Sequence, residues 1–123
     1  MIAAIRLVVG AIVMIDNDIL PPVHPGEILL EDFMKPLGLS QNALARGLGI
    51  PPVTIHKIVH AKRAVTTETA FRLARFFGNT AGFWLNLQKN YEIDRAAAEA
   101  LPERIAEQVR PFVANSGNSL HPA

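Results

Sequence analysis

The sequence predicts an all-α protein: a compact five-helix domain built around a helix-turn-helix, with an additional C-terminal helix. Three observations predict it. Apolar residues recur at helical spacing in successive segments from Ile28 to Tyr91. Helix start signals (Pro25, Ser40, Pro52, Thr66, Thr80) alternate with stop signals (Gly38, Gly49, Gly78). No stretch reads as a strand.

The lead-in Leu20-Pro21-Pro22-Val23-His24-Pro25-Gly26 cannot be helical throughout. Pro25 suits a first helical turn, and Glu27 favours the helix N-terminus. Ile28, Leu29 and Phe33 form the first apolar face, and Pro36-Leu37-Gly38 stops the run. Ser40 is an N-cap for the second helix, with Leu44, Ala45 and Leu48 inward. Gly49 supplies the φ > 0 residue of a sharp turn. Pro51-Pro52 opens the third helix, with Ile55, Ile58 and Val59 inward. Thr66 caps a fourth helix whose inner face is Ala70, Leu73, Ala74 and Phe77. Thr80 starts a fifth, with Phe83, Trp84, Leu87 and Tyr91 as an apolar stripe. Beyond an Ala-rich stretch, Pro102 begins a last helical segment extending to Arg110.

The chain divides into an apolar N-terminal segment and linker (1–21), a helix-turn-helix domain (22–92), a C-terminal helical extension (93–112) and a disordered tail (113–123). Residues 1–15 are apolar except for Arg6. That run is too short to span a bilayer, which takes about 20 residues. Met14 is an expected translation start, with residues 1–13 as upstream sequence; a partner-binding segment is the competing reading. Cysteine is absent, which excludes disulfides and cysteine-ligated zinc and suits a reducing, cytoplasmic setting.

The net charge of +1 conceals an asymmetry. Between Ser40 and Thr80 six cations (Arg46, Lys57, Lys62, Arg63, Arg72, Arg75) face the single acid Glu68, so this stretch carries +5 and the remainder −4. A basic face suits an anionic partner. In a helix-turn-helix the second helix enters the DNA major groove. Here its outward residues are Val53, Thr54, His56 and Lys57. Lys57 can donate to guanine O6 and N7, Val53 can pack on a thymine methyl, and Thr54 can reach a base edge or phosphate. Ser40, Gln41, Lys62 and Arg63 stand at helix ends or in the following loop, where they would hold phosphates and set register.

Other chemistry finds little support. His56 and His60 are spaced to share a metal, but a zinc site needs further ligands and none is nearby in sequence; no metal or cofactor is expected. Glu27, Glu31 and Asp32 occupy early helical turns, where acids are favoured. No nucleophile–base arrangement or phosphate-cradling glycine loop is present, so an enzyme is not expected.

From about Pro22 to Tyr91 the chain resembles the HigA-type antitoxins within the Cro/C1-like (XRE) helix-turn-helix class. The matching elements are His24-Pro25-Gly26-Glu27, Leu39-Ser40-Gln41 with Leu44-Ala45, and Ile50-Pro51-Pro52. They continue through Lys62-Arg63-Ala64-Val65-Thr66, Ala70 with Leu73-Ala74, Phe77-Gly78, and Phe83-Trp84-Leu85-Asn86-Leu87-Gln88. The last run is the specific part. The resemblance implies a five-helix lambda-repressor-like fold, a homodimer and a palindromic operator in the protein's own promoter. It also implies neutralisation of a HigB-type toxin, a small ribosome-dependent mRNA endonuclease encoded beside it. Three departures stand out. Val53 and Thr54 replace the family's frequent Asn and Arg, Ala61 replaces its usual Gly, and both the apolar N-terminus and the extension beyond Glu99 lie outside the common region. A solitary regulator without a toxin is the alternative reading.

Overall fold

The computed structural model describes residues 21–114. The apolar segment 1–15, the Met14 start and the tail from 115 onward lie outside the described residues. Within them the chain forms six helices, the expected five and the expected additional C-terminal one.

Helix α1 runs from Pro25 to Leu37 as one continuous rod with a π-helical middle, Leu29–Met34. Pro36 accounts for the widening. It donates no N–H, and in a regular α-helix its ring would strike the carbonyl of Asp32. The Lys35 N–H reaches back five residues to the Leu30 carbonyl instead. Within the expected stop Pro36-Leu37-Gly38, the helix ends at Gly38, which takes the left-handed conformation at φ 66°.

Helix α2 (Gln41–Leu48) is capped by the Ser40 hydroxyl, which accepts the Ala43 N–H at 3.0 Å. Gly49 closes it at φ 71°, and α3 (Pro52–Val59) follows with Pro52 in its first turn. Helix α4 (Thr67–Phe77) is capped by Thr66, and α5 (Ala81–Ala98) by Thr80, whose Oγ1 accepts the Phe83 N–H. Helix α5 continues through position 92 without interruption. Its break falls at Glu99–Ala100, before α6 (Leu101–Gln108). The last helix thus stops two residues short of Arg110 and buries none of its own residues. It leaves Leu101 and Ile105 exposed, with Val109 and Phe112 exposed beyond it.

The core takes Leu29 and Met34 from α1, Leu44, Ala45 and Leu48 from α2, and Ile55 and Ile58 from α3. Val65, Ala70, Leu73, Ala74 and Trp84 complete it. Val59 and Phe77 pack against it half-buried. Phe33 joins α1 to α4 and α5, its ring 4.9 Å from both Phe77 and Trp84. The α5 stripe differs from its expected form. Phe83 is exposed, whereas Trp84 and Gln88, one turn apart, are the buried positions. Glutamine is admitted there because its amide oxygen and amide nitrogen each find a partner, as described below.

Candidate nucleic-acid interface

Helix α3 is braced on one side by Ile55 and Ile58, both with no exposed surface. The opposite side carries Val53, His56 and Lys57, all exposed, with Thr54 half-buried at its edge. The four sequence-selected residues of this helix therefore lie outside the core, on its solvent-facing side.

The candidate phosphate-holding residues flank this surface. Gln41, in the first turn of α2, meets α3 through its side chain, with Oε1 3.3 Å from His56 Nδ1. Arg63, in the loop after α3, donates to Thr54 Oγ1 at 3.1 Å. These contacts join two of the phosphate candidates to two of the base-reading ones. Ser40 uses its hydroxyl oxygen as the α2 cap and keeps its O–H as a donor. Lys57 and Lys62 are exposed, without an ionic partner among the described residues.

Three positioning residues were not legible in the sequence. His24 caps α1, its Nδ1 accepting the Gly26 N–H at 2.8 Å, and its ring also hydrogen-bonds the Arg63 backbone. Since Nδ1 accepts, Nε2 carries the ring proton and is the donor toward the Arg63 backbone. Burial pushes the imidazole below its ordinary pKa, against the opposing effect of that backbone bond. Gln88 Oε1 accepts the Val65 N–H at 2.9 Å, and its Nε2 donates to Glu92. Together His24 and Gln88 hold both ends of the Arg63–Val65 stretch. Arg72 donates to the Leu48 carbonyl at the end of α2 and to Glu68. It is therefore committed to the scaffold, although the charge asymmetry counted it with the basic face.

The approach of α1 to α3 depends on Gly26. A Cβ there would lie 1.8 Å from the Ile58 carbonyl oxygen, so only glycine lets the two backbones come this close. The loop after α3 contains the opposite case: Ala61 takes φ 58°, a left-handed conformation that costs a side-chain-bearing residue about 1–2 kcal/mol.

The chain matches a helix-turn-helix family model over residues 30–84. It is 48% identical over 77 residues to virulence-associated protein I of Dichelobacter nodosus, a match covering 63% of this chain and 71% of that one. The structure of an addiction module antidote protein of the HigA family from Coxiella burnetii superposes with a TM-score of 0.70 at 42% identity. That match covers 76% of this chain and all of the other. The chain belongs to the HigA family. A second HigA structure, the Pseudomonas aeruginosa antitoxin with the higBA promoter, is 37% identical with a TM-score of 0.70, covering 75% of this chain and 99% of that one. In this chain the Phe83–Gln88 run supplies the buried Trp84 and the Gln88 anchor of the loop after α3.

Proposed function

We propose that this chain is the antitoxin of a type II toxin–antitoxin module. It binds a palindromic operator in its own promoter as a homodimer, represses its operon and neutralises a HigB-type mRNA endonuclease. It acts in the cytoplasm, where that operator lies. The observation that carries the reading is the outward face of α3, with four side chains free of the core and Lys62 and Arg63 beside it. The Pseudomonas relative solved with promoter DNA supports the same use of this fold.

In this reading Val53, Thr54, His56 and Lys57 contact base edges, while Ser40, Gln41, Lys62 and Arg63 hold the phosphates. Two recognition helices about 34–36 Å apart read half-sites one turn apart. No helix among the described residues is long and apolar enough to cross a membrane, in keeping with this role.

Two measurements test the proposal. A gel shift on the promoter upstream of this gene should weaken with salt at a log–log slope of about −0.9 per phosphate contact. Co-expression with the adjacent gene should yield a co-purifying pair. An operator shift without a co-purifying partner identifies a solitary regulator; no shift at physiological salt refutes DNA recognition.

A further inference from the structure

We infer that His56 and His60 form a binding site for a divalent transition-metal ion on the outward side of α3. The inference rests on which nitrogen of each ring is left bare. His60 Nδ1 lies 2.8 Å from the His56 carbonyl oxygen. A carbonyl only accepts, so Nδ1 is a donor, and in the neutral ring Nε2 then keeps its lone pair. His56 Nδ1 lies 3.3 Å from Gln41 Oε1, also an acceptor, and the same assignment follows.

In their neutral form both rings therefore present a bare Nε2 from adjacent turns of one helix. Their centroids are 4.1 Å apart and their planes tilt by 37°. Metal-ligating histidines are prepared in this way, the remote N–H donated to an oxygen that fixes tautomer and ring direction. Two nitrogens at about 2.0–2.1 Å from one tetrahedral ion stand roughly 3.3 Å apart. The site requires the two Nε2 atoms to take that separation.

Counting ligands along the sequence argued against a metal because a structural zinc site needs four protein donors. No group of three His, Cys, Asp or Glu residues able to hold a metal exists among the described residues. An exposed two-imidazole site has a different form, since water fills the remaining positions. Imidazole donors select zinc, copper or nickel over magnesium or calcium. Lys57, Lys62 and Arg63 nearby disfavour a cation held by charge alone, so coordination by the two nitrogens must supply the affinity.

The consequence for regulation rests on the DNA-binding reading above. His56 belongs to the proposed operator-contacting surface, so an ion on its Nε2 and a base pair compete for the same atom. Linkage makes that competition reciprocal.

The site is tested by calorimetry on the tag-free full chain titrated with zinc chloride or nickel sulfate, with magnesium chloride as control. One ion should bind per chain. His60→Gln removes one of the two ligands and should weaken binding by at least the roughly tenfold that loss of an outer-shell partner costs. His121→Gln should leave binding unchanged. Absence of zinc binding in the wild type, or equal binding by His60→Gln, overturns the site. In a parallel gel shift, zinc should raise the protein concentration needed for half-maximal shift, EDTA should reverse this, and His60→Gln should be insensitive. Zinc binding with an unmoved shift overturns the competition. No shift in zinc-free buffer counts instead against the DNA reading, on which the calorimetry does not depend.

Discussion

Gln88, on α5, accepts the buried backbone N–H of Val65 at 2.9 Å across 23 residues of chain. Val65 follows directly on Lys62, Arg63 and Ala64, so this bond sets where the basic loop stands relative to α3.

Replacing Gln88 with Leu would leave the Val65 N–H buried without an acceptor. An unsatisfied buried donor costs about 1–3 kcal/mol. Urea unfolding should show a loss of that size in Gln88→Leu, with a lowered midpoint and an unchanged slope. An unchanged midpoint would show that the bond adds nothing.

Gly26→Ala should be more damaging than its single methyl suggests. The new Cβ would meet the backbone at Ile58, which cannot rotate aside as a side chain would. Overpacking of a filled interior costs about 1–3 kcal/mol, and this variant should lie at the upper end. Thermal denaturation measures the loss.

Ala61→Gly should act in the opposite direction. It removes the left-handed strain at φ 58° while adding freedom to the unfolded chain, for a net gain of up to about 1 kcal/mol. The melting temperature should rise; a fall would mean that unfolded-state entropy dominates.

Stability should decline in mild acid because of His24. Its pKa is lowered from 6.5 in the folded protein, so between the two values the unfolded chain binds more protons. This contribution is complete above about pH 6.5 and is lost as the pH falls through and below it. Protonation also removes the Nδ1 lone pair that caps α1. Asparagine caps helices without titrating. His24→Asn should therefore show a shallower fall in melting temperature between pH 8 and pH 5.5; parallel curves would exclude His24 as the cause.

On DNA, Lys57→Ala and Arg63→Ala should separate. Loss of a base contact reduces discrimination between operator and random DNA by about 1–3 kcal/mol, whereas loss of a phosphate contact weakens both alike. Gel-shift competition distinguishes the two. Equal losses on both DNAs for both variants would refute the division of roles.

Local signals were the legible ones. Ser40, Thr66 and Thr80 announce themselves as caps because the N–H groups they accept lie three residues away. Gly49 marks its turn because its own φ is at stake. The π-helical middle of α1 was hidden, since Pro36 is compatible with ending a helix or with widening one, and packing decides. His24, Arg72 and Gln88 were hidden for another reason. Their partners Arg63, Leu48 and Val65 are remote in sequence, and no periodicity reveals such pairings. In the candidate interface, the outward phase of Val53, His56 and Lys57 was readable in the sequence, but the Gln41–His56 and Thr54–Arg63 contacts required the assembled fold.

The division of α3 into a core-facing side and an outward side carries an evolutionary consequence. Ile55 and Ile58 bear the packing, while Val53, His56 and Lys57 are exposed and lie outside the core cluster. Substitutions at those three can accumulate without threatening the fold. If this face reads the operator as proposed, a duplicated copy of the gene can drift to a new address on the chromosome while still assembling the same domain.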